Sequence, residues 1–95
     1  MSVDAPEVVL EVSPVLRPMV AGQDRVTARG ETVDDVLDDL VPRYPALVEA
    51  LRRDGRLGRF VNLYVGERDL RVEGGLTARL AAGDVVSTVV AVSGG

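Results

Sequence analysis

Apolar residues recur along this chain with two different periods, and the change of period marks out its elements. Residues 7–12 place Val8, Leu10 and Val12 on one face of a strand. Pro14, Pro18 and Gly22 then predict a loop over 14–23. Arg25-Val26-Thr27-Ala28-Arg29 reads as a second short strand, antiparallel to the first and closed by Gly30. From there the period lengthens. Val33, Val36, Leu37, Leu40, Val41 and Tyr44 follow i, i+3, i+4, i+7, i+8, i+11, one apolar stripe on a helix. Thr32 is its expected N-cap, with Asp35 in the acidic position of a capping box and Asp34 beside it in the first turn. Asp34, Asp35, Asp38 and Asp39 read as the solvated face opposite the stripe, because adjacent carboxylates on a helix diverge.

Pro42 and Pro45 interrupt this helix, and Leu47, Val48 and Leu51 restart helical spacing to about Arg53. Asp54-Gly55 begins a turn. Arg59-Phe60-Val61-Asn62-Leu63-Tyr64-Val65 then alternates, with Val61, Leu63 and Val65 on one face and Phe60, Asn62 and Tyr64 on the other. Gly66-Glu67 predicts another turn and Leu70-Arg71-Val72 a short edge strand, broken by Gly74-Gly75. Residues 76–82 are expected to form a turn or helical stub. The β-branched run after Gly83-Asp84 reads as a buried final strand leading to Ser93-Gly94-Gly95.

The order strand, strand, helix, strand, short strand, strand gives an α+β fold. One amphipathic crossover helix must cover one face of the sheet. The prediction is a mixed sheet with the first and last strands parallel and central, the ubiquitin-like β-grasp. Residues 1–95 form one domain on this reading, with 92–95 as a mobile arm. Phe60 and Tyr64 fall on the uncovered face, where exposed aromatics point to partner docking.

Composition narrows the chemistry. The 95 residues include no cysteine and no histidine, which removes thiol catalysis, disulfides and the commonest general base and metal ligand. The chain is expected to be no enzyme, to bind no metal and to hold no cofactor. Its net charge is −4, and all eleven basic residues are arginine. An acidic chain without a basic, aromatic-interleaved stripe is not expected to bind nucleic acid. No apolar run approaches the roughly 20 residues of a membrane span, and no signal peptide is evident, so a cytoplasmic location is expected.

Two terminal glycines can enter a channel too narrow for other residues and adopt backbone angles closed to them. That suits a carboxylate activated inside a partner's pocket. Ser93 reads as part of the arm, since nothing nearby would activate it as a nucleophile. Arg17 is a candidate to pair with an acidic patch on a partner.

Leu16-Arg17, the capped helix at Thr32, Phe60-Val61-Asn62-Leu63-Tyr64-Val65, Leu80 with Gly83-Asp84, and Gly94-Gly95 occur here in order. In these features the chain resembles the small sulfur-carrier proteins of the ThiS/MoaD family. Within that family it looks most like the carriers of the O-phosphoserine route to cysteine, on three stretches: Leu16-Arg17-Pro18 with Gly22-Gln23, Arg59-Phe60-Val61-Asn62-Leu63-Tyr64-Val65, and Gly74-Gly75-Leu76 with Gly83-Asp84. Family members often have proline before the tail, where this chain has Val89-Val90.

The resemblance implies that an E1-like adenylating enzyme uses ATP to activate the Gly95 carboxylate, which a sulfur donor converts to a thiocarboxylate. Gly94 would be its steric partner in the tail. A sulfur-accepting synthase, of cysteine-synthase or thiosugar/thiazole-synthase type, would consume the sulfur. The alternatives are the small subunit of molybdopterin synthase, and a ubiquitin-like tagging module without sulfur transfer. With no lysine, the chain cannot form lysine-linked chains of itself.

Overall fold

The computed structural model describes residues 5–91. Its main sheet contains β1 (Glu7–Glu11), β2 (Arg25–Arg29), β5 (Val61–Val65), β6 (Arg68–Asp69) and β7 (Val85–Val90) in the order β2-β1-β7-β5-β6. A separate two-stranded ribbon joins β3 (Arg52–Arg53) to β4 (Arg56–Leu57). β1 and β7 run parallel, with Leu10 opposite Val86. β2 is antiparallel to β1, and β5 to β7. This is the expected β-grasp, with β7 at the centre of the five strands.

Helix α1 (Val33–Leu40) lies across one face. Thr32 is extended (φ −131°, ψ 167°), and its Oγ1 accepts the Asp35 N–H at 3.1 Å, so the predicted cap is made. An isolated bridge to Arg79 also holds Thr32. Thr32→Ala is therefore expected to lower stability by about 1 kcal/mol in urea denaturation, with Thr32→Ser close to wild type.

Val33, Val36, Leu37 and Leu40 are buried, but Val41 is 39 % exposed. The helix ends at Leu40, four residues short of Tyr44, the last position of the stripe. The Arg43 and Tyr44 N–H groups both bond the Leu40 carbonyl. Val41 keeps helical angles and its N–H bonds the Leu37 carbonyl, so its exposure reflects its place at the margin of the stripe, while Tyr44 still packs against the core.

α2 (Pro45–Leu51) starts on its proline as expected and buries Leu47, Val48 and Leu51. Its C-terminal neighbour Arg52 donates to Asp34 at 2.5 Å and to Asp38 at 2.9 Å. The acidic face of α1 is thus partly a clasp for α2, not solvated throughout. The Arg52 guanidinium is held above its ordinary pKa, chiefly by the Asp34 hydrogen bond, against desolvation and with Asp38 adding to it.

Three other segments differ from the sequence reading. Pro14–Val20 forms a 3-10 helix rather than a loop, burying Leu16 and Val20. Pro14 occupies its first turn, where a missing N–H and fixed φ do no harm. The 54–58 segment includes a tight hairpin: Asp54 and Gly55 both have positive φ (54° and 74°), the geometry of a two-residue type I′ turn between β3 and β4. The edge strand is Arg68–Asp69, paired to Tyr64 and Val65 directly across Gly66-Glu67. Leu70 then turns fully into the core and Val72 stands 78 % exposed. The stub expected over 76–82 is a single 3-10 turn, Gly75–Thr77.

Candidate functional site: the open sheet face and the root of the tail

Alternation along the central strand builds this face. Val86 and Thr88 of β7 are buried beneath α1's side of the sheet, while Val85, Ser87 and Val89 point the other way. The final strand is therefore covered on one face only. A β-branched run does not by itself distinguish that from burial on both sides. Val85 and Val89, 39 % and 46 % exposed, join the candidate face that the sequence placed around Phe60 and Tyr64. Their i, i+2, i+4 spacing with Ser87 was the available signal.

Across the sheet, Arg25, Glu11, Ser87 and Tyr64 occupy one row. Glu11 is the hub of its polar half, accepting Arg25 Nη2 at 3.1 Å and Ser87 Oγ at 2.8 Å. Tyr64 is half-buried, and its hydroxyl accepts Asn62 Nδ2 at 3.1 Å. This pairing orients the ring on the open face. Phe60 lies just before β5 and not within it, with its side chain 54 % exposed.

The root of the tail is firmly held. The Ala91 N–H donates to the Phe60 carbonyl at 2.7 Å, one step beyond the Val61–Val90 pair. On the other flank of β7, Thr88 Oγ1 donates to the Glu11 carbonyl and accepts the Ser13 N–H, both at 2.9 Å. Strand β7 is thus clamped by β5 on one side and the start of the 3-10 helix on the other. Ser93, Gly94 and Gly95, the predicted arm and activation site, lie outside the described residues.

Arg17 is set apart from the two aromatics. Its Nε donates to the Val12 carbonyl at 3.0 Å, and it lines a shallow pocket with Ser87 and Thr88 on the β1 side of the last strand. Phe60 is on the β5 side. The structure thus brings Tyr64, Val85 and Val89 onto one face, puts Phe60 just before β5, and sets Arg17 beside the Glu11–Ser87 end of that face, away from Phe60.

Among the described residues, no cluster of three or more His, Cys, Asp or Glu is placed to hold a metal ion. No helix there is long and apolar enough to cross a membrane.

A small β-grasp domain whose sequence runs from its central strand to Gly94-Gly95 has the features of a class of protein carriers, and comparison with known proteins agrees. The ThiS family model matches residues 15–95. The sulfur carrier protein CysO of Mycobacterium tuberculosis is 41 % identical over 91 residues, spanning 93 % of this chain and 98 % of that protein. Its crystal structure superposes with a TM-score of 0.82 at 40 % identity, covering 90 % of this chain and 99 % of that one. The BexX/CysO complex of Amycolatopsis orientalis contains a chain that matches with a TM-score of 0.86 and 35 % identity, over 93 % of this chain and 99 % of that one. The chain belongs to the ThiS family. Within it, this is a CysO-like sulfur carrier, a protein that carries its cargo and is not itself a catalyst.

Proposed function

We propose that Gly95 carries sulfur as a C-terminal thiocarboxylate, made by an E1-like enzyme and delivered to a sulfur-accepting synthase. The observation that carries this reading is the clamp on β7. The strand is paired up to Ala91, and residues 92–95 separate this last described hydrogen bond from the Gly95 carboxylate. Extended, the stretch from Val92 to Gly95 spans roughly 10 Å. That is enough to enter a partner's pocket while the globular body stays outside.

A carboxylate resists nucleophiles until one oxygen becomes a good leaving group. The Gly95 carboxylate oxygen would attack the α-phosphorus of ATP held by the activating enzyme, expelling pyrophosphate. A sulfide equivalent would then attack the acyl carbon and expel AMP, leaving C(=O)S⁻. In the second half-reaction the sulfur attacks an electrophilic carbon of the acceptor, forming a C–S bond as a leaving group departs with its electron pair or as an activated double bond takes up the pair and a proton. Water then cleaves the resulting thioester at its acyl carbon and restores the Gly95 carboxylate. This chain supplies the acyl end and a surface to dock it, and needs neither His nor Cys for either role. The acceptor class is that of cysteine or of a sulfur-containing metabolite. The Amycolatopsis relative, found in complex with BexX, supports delivery through a protein partner.

Intact-protein mass spectrometry tests the first half. Incubation with ATP, an E1-like enzyme and sulfide should add the mass difference of one sulfur for one oxygen, localised to Gly95. No gain, with an enzyme shown to act on another carrier, favours an interaction module instead. The open face is tested separately. Phe60→Ala should raise the KM of the activating enzyme for this carrier about tenfold, as for an exposed aromatic anchor, with kcat and melting temperature unchanged. An unaltered KM removes Phe60 from the docking surface.

A further inference from the structure

Eight of the eleven arginines donate to an acceptor within the chain: Arg17, Arg25, Arg29, Arg43, Arg52, Arg68, Arg71 and Arg79. The other three, Arg53, Arg56 and Arg59, make no side-chain hydrogen bond or ion pair among the described residues, and all are exposed. These three line the same open cleft, of about 920 Å³. Asp54 is the sole acidic residue lining it, and it too makes no ion pair there. Arg71 also lines the cleft, but its Nη2 is committed to the carbonyls of Gly58 and Val61.

The arrangement is unfavourable by itself. Arg53 and Arg56 are directly opposite one another across the β3–β4 hairpin. Like charges in that relation destabilise a strand pair. In a chain of net charge −4, solvent-exposed arginines have carboxylates available elsewhere, and five others take them. Here the positive charge is concentrated and, among the described residues, left without an acceptor.

The position is equally specific. Arg59 precedes Phe60, the residue whose carbonyl holds Ala91 at the root of the tail. Phe60 itself lines the cleft and lies one residue before β5.

We infer that this cleft is a docking site for an acidic segment of the protein that receives the tail. Carboxylates spaced along such a segment would meet Arg53, Arg56 and Arg59, and an apolar residue between them would cover Leu57 and Phe60. Charge complementarity selects this occupant. The three guanidiniums are spread over a hairpin and the following loop, suiting several separate carboxylates rather than one compact anion. The net negative charge of the whole chain opposes an extended polyanion such as nucleic acid. Such a contact chiefly speeds and orients encounter, presenting the tail to its pocket. The identity of the partner rests on the carrier reading; the chemistry of the cleft does not.

The experiment is an amide-resolved NMR titration of the full chain with a capped hexaglutamate peptide at about 20 mM salt, where surface charges are weakly screened. Shifts should centre on residues 53–60 and fade by about 300 mM salt. Capped hexaglutamine should leave the spectrum unchanged. The double variant Arg56→Glu, Arg59→Glu should weaken peptide binding at least about tenfold. The neutral pair Arg56→Gln, Arg59→Gln, which avoids new repulsion, should weaken it less.

Shifts spread evenly over the other arginines, or binding that survives both double variants, would overturn the proposal. Pyrophosphate producing the same shifts at tenfold lower concentration would reassign the cleft to a phosphate ligand and overturn it too. Sulfur loading at Gly95 is read independently by mass. A chain that loads sulfur but shows no cleft shifts keeps the carrier reading and refutes the cleft. One that binds the peptide but never loads sulfur does the reverse.

Discussion

Deleting Gly95 should abolish sulfur loading and leave the melting temperature unchanged. Both halves follow from the same separation of tail and body. The buried core runs from Ala5 to Val86, with Val90 packed against it, so its described part is complete before the arm begins. A shortened chain still ends in a carboxylate, now on Gly94, so the deletion does not remove the reacting group. It withdraws that group by one residue, about 3.3 Å along an extended arm. With Ala91 held to Phe60 at 2.7 Å, the body cannot follow the tail inward without breaking the end of a central strand. A misplacement of about 1 Å can reduce a reaction by roughly 10²-fold, so loss to background is the expected result. Gly94→Leu should do the same for a different reason, by placing a side chain where the channel admits backbone only. Mass spectrometry of each variant after incubation with ATP, activating enzyme and sulfide reads the outcome. Sulfur loading at the wild-type rate in either would show that the arm is not threaded as proposed.

The fold was legible because its strongest signals are local. Thr32 and the four buried positions of α1 announce a helix that must lie on a sheet, and two strand pairs flank it. Pattern was silent where a few residues changed direction. Val41 fits the stripe in the sequence but stands at its margin in space: its backbone is still helical and its N–H bonds the Leu37 carbonyl, yet at about 100° per residue it lies well round from Val33 and Leu40. The Pro14–Val20 segment hid its 3-10 helix behind two prolines that usually mark breaks. Leu70 read as part of a strand because its apolar character signals burial, and a residue can be buried just after a two-residue edge strand.

The proposed docking surface was half visible. Tyr64 was legible from alternation in β5. Val85 and Val89 were not, since only the pairing of β7 with both neighbours reveals which of its faces α1 leaves open. The arginine cleft was legible in no linear pattern. It requires the Asp54-Gly55 turn to fold Arg56 back against Arg53, and it requires knowing that the other arginines are already engaged.

Leu40→Ala should be strongly damaging, and its comparison with Val41→Ala tests how far along the apolar stripe the core contact reaches. Leu40 is fully buried and belongs to the main core cluster. Removing three buried carbons from a site that cannot fully collapse costs about 2–5 kcal/mol. For a small domain of about 5–15 kcal/mol total stability, that is a large fraction. The melting temperature should fall by at least about 10 °C. Leu40's carbonyl accepts the N–H groups of both Arg43 and Tyr44, so the backbone turn into α2 fixes this position and limits relaxation. Val41, one residue on and 39 % exposed, should cost within about 0.5 kcal/mol when truncated to alanine. Urea denaturation separates the cases, provided the m-value is unchanged so that midpoints report stability. Equal losses for the two variants would place Val41 in the core beside Leu40. A large loss for Leu40→Ala alone would establish that the core contact of this helix stops at Leu40 and leaves Val41 at its margin.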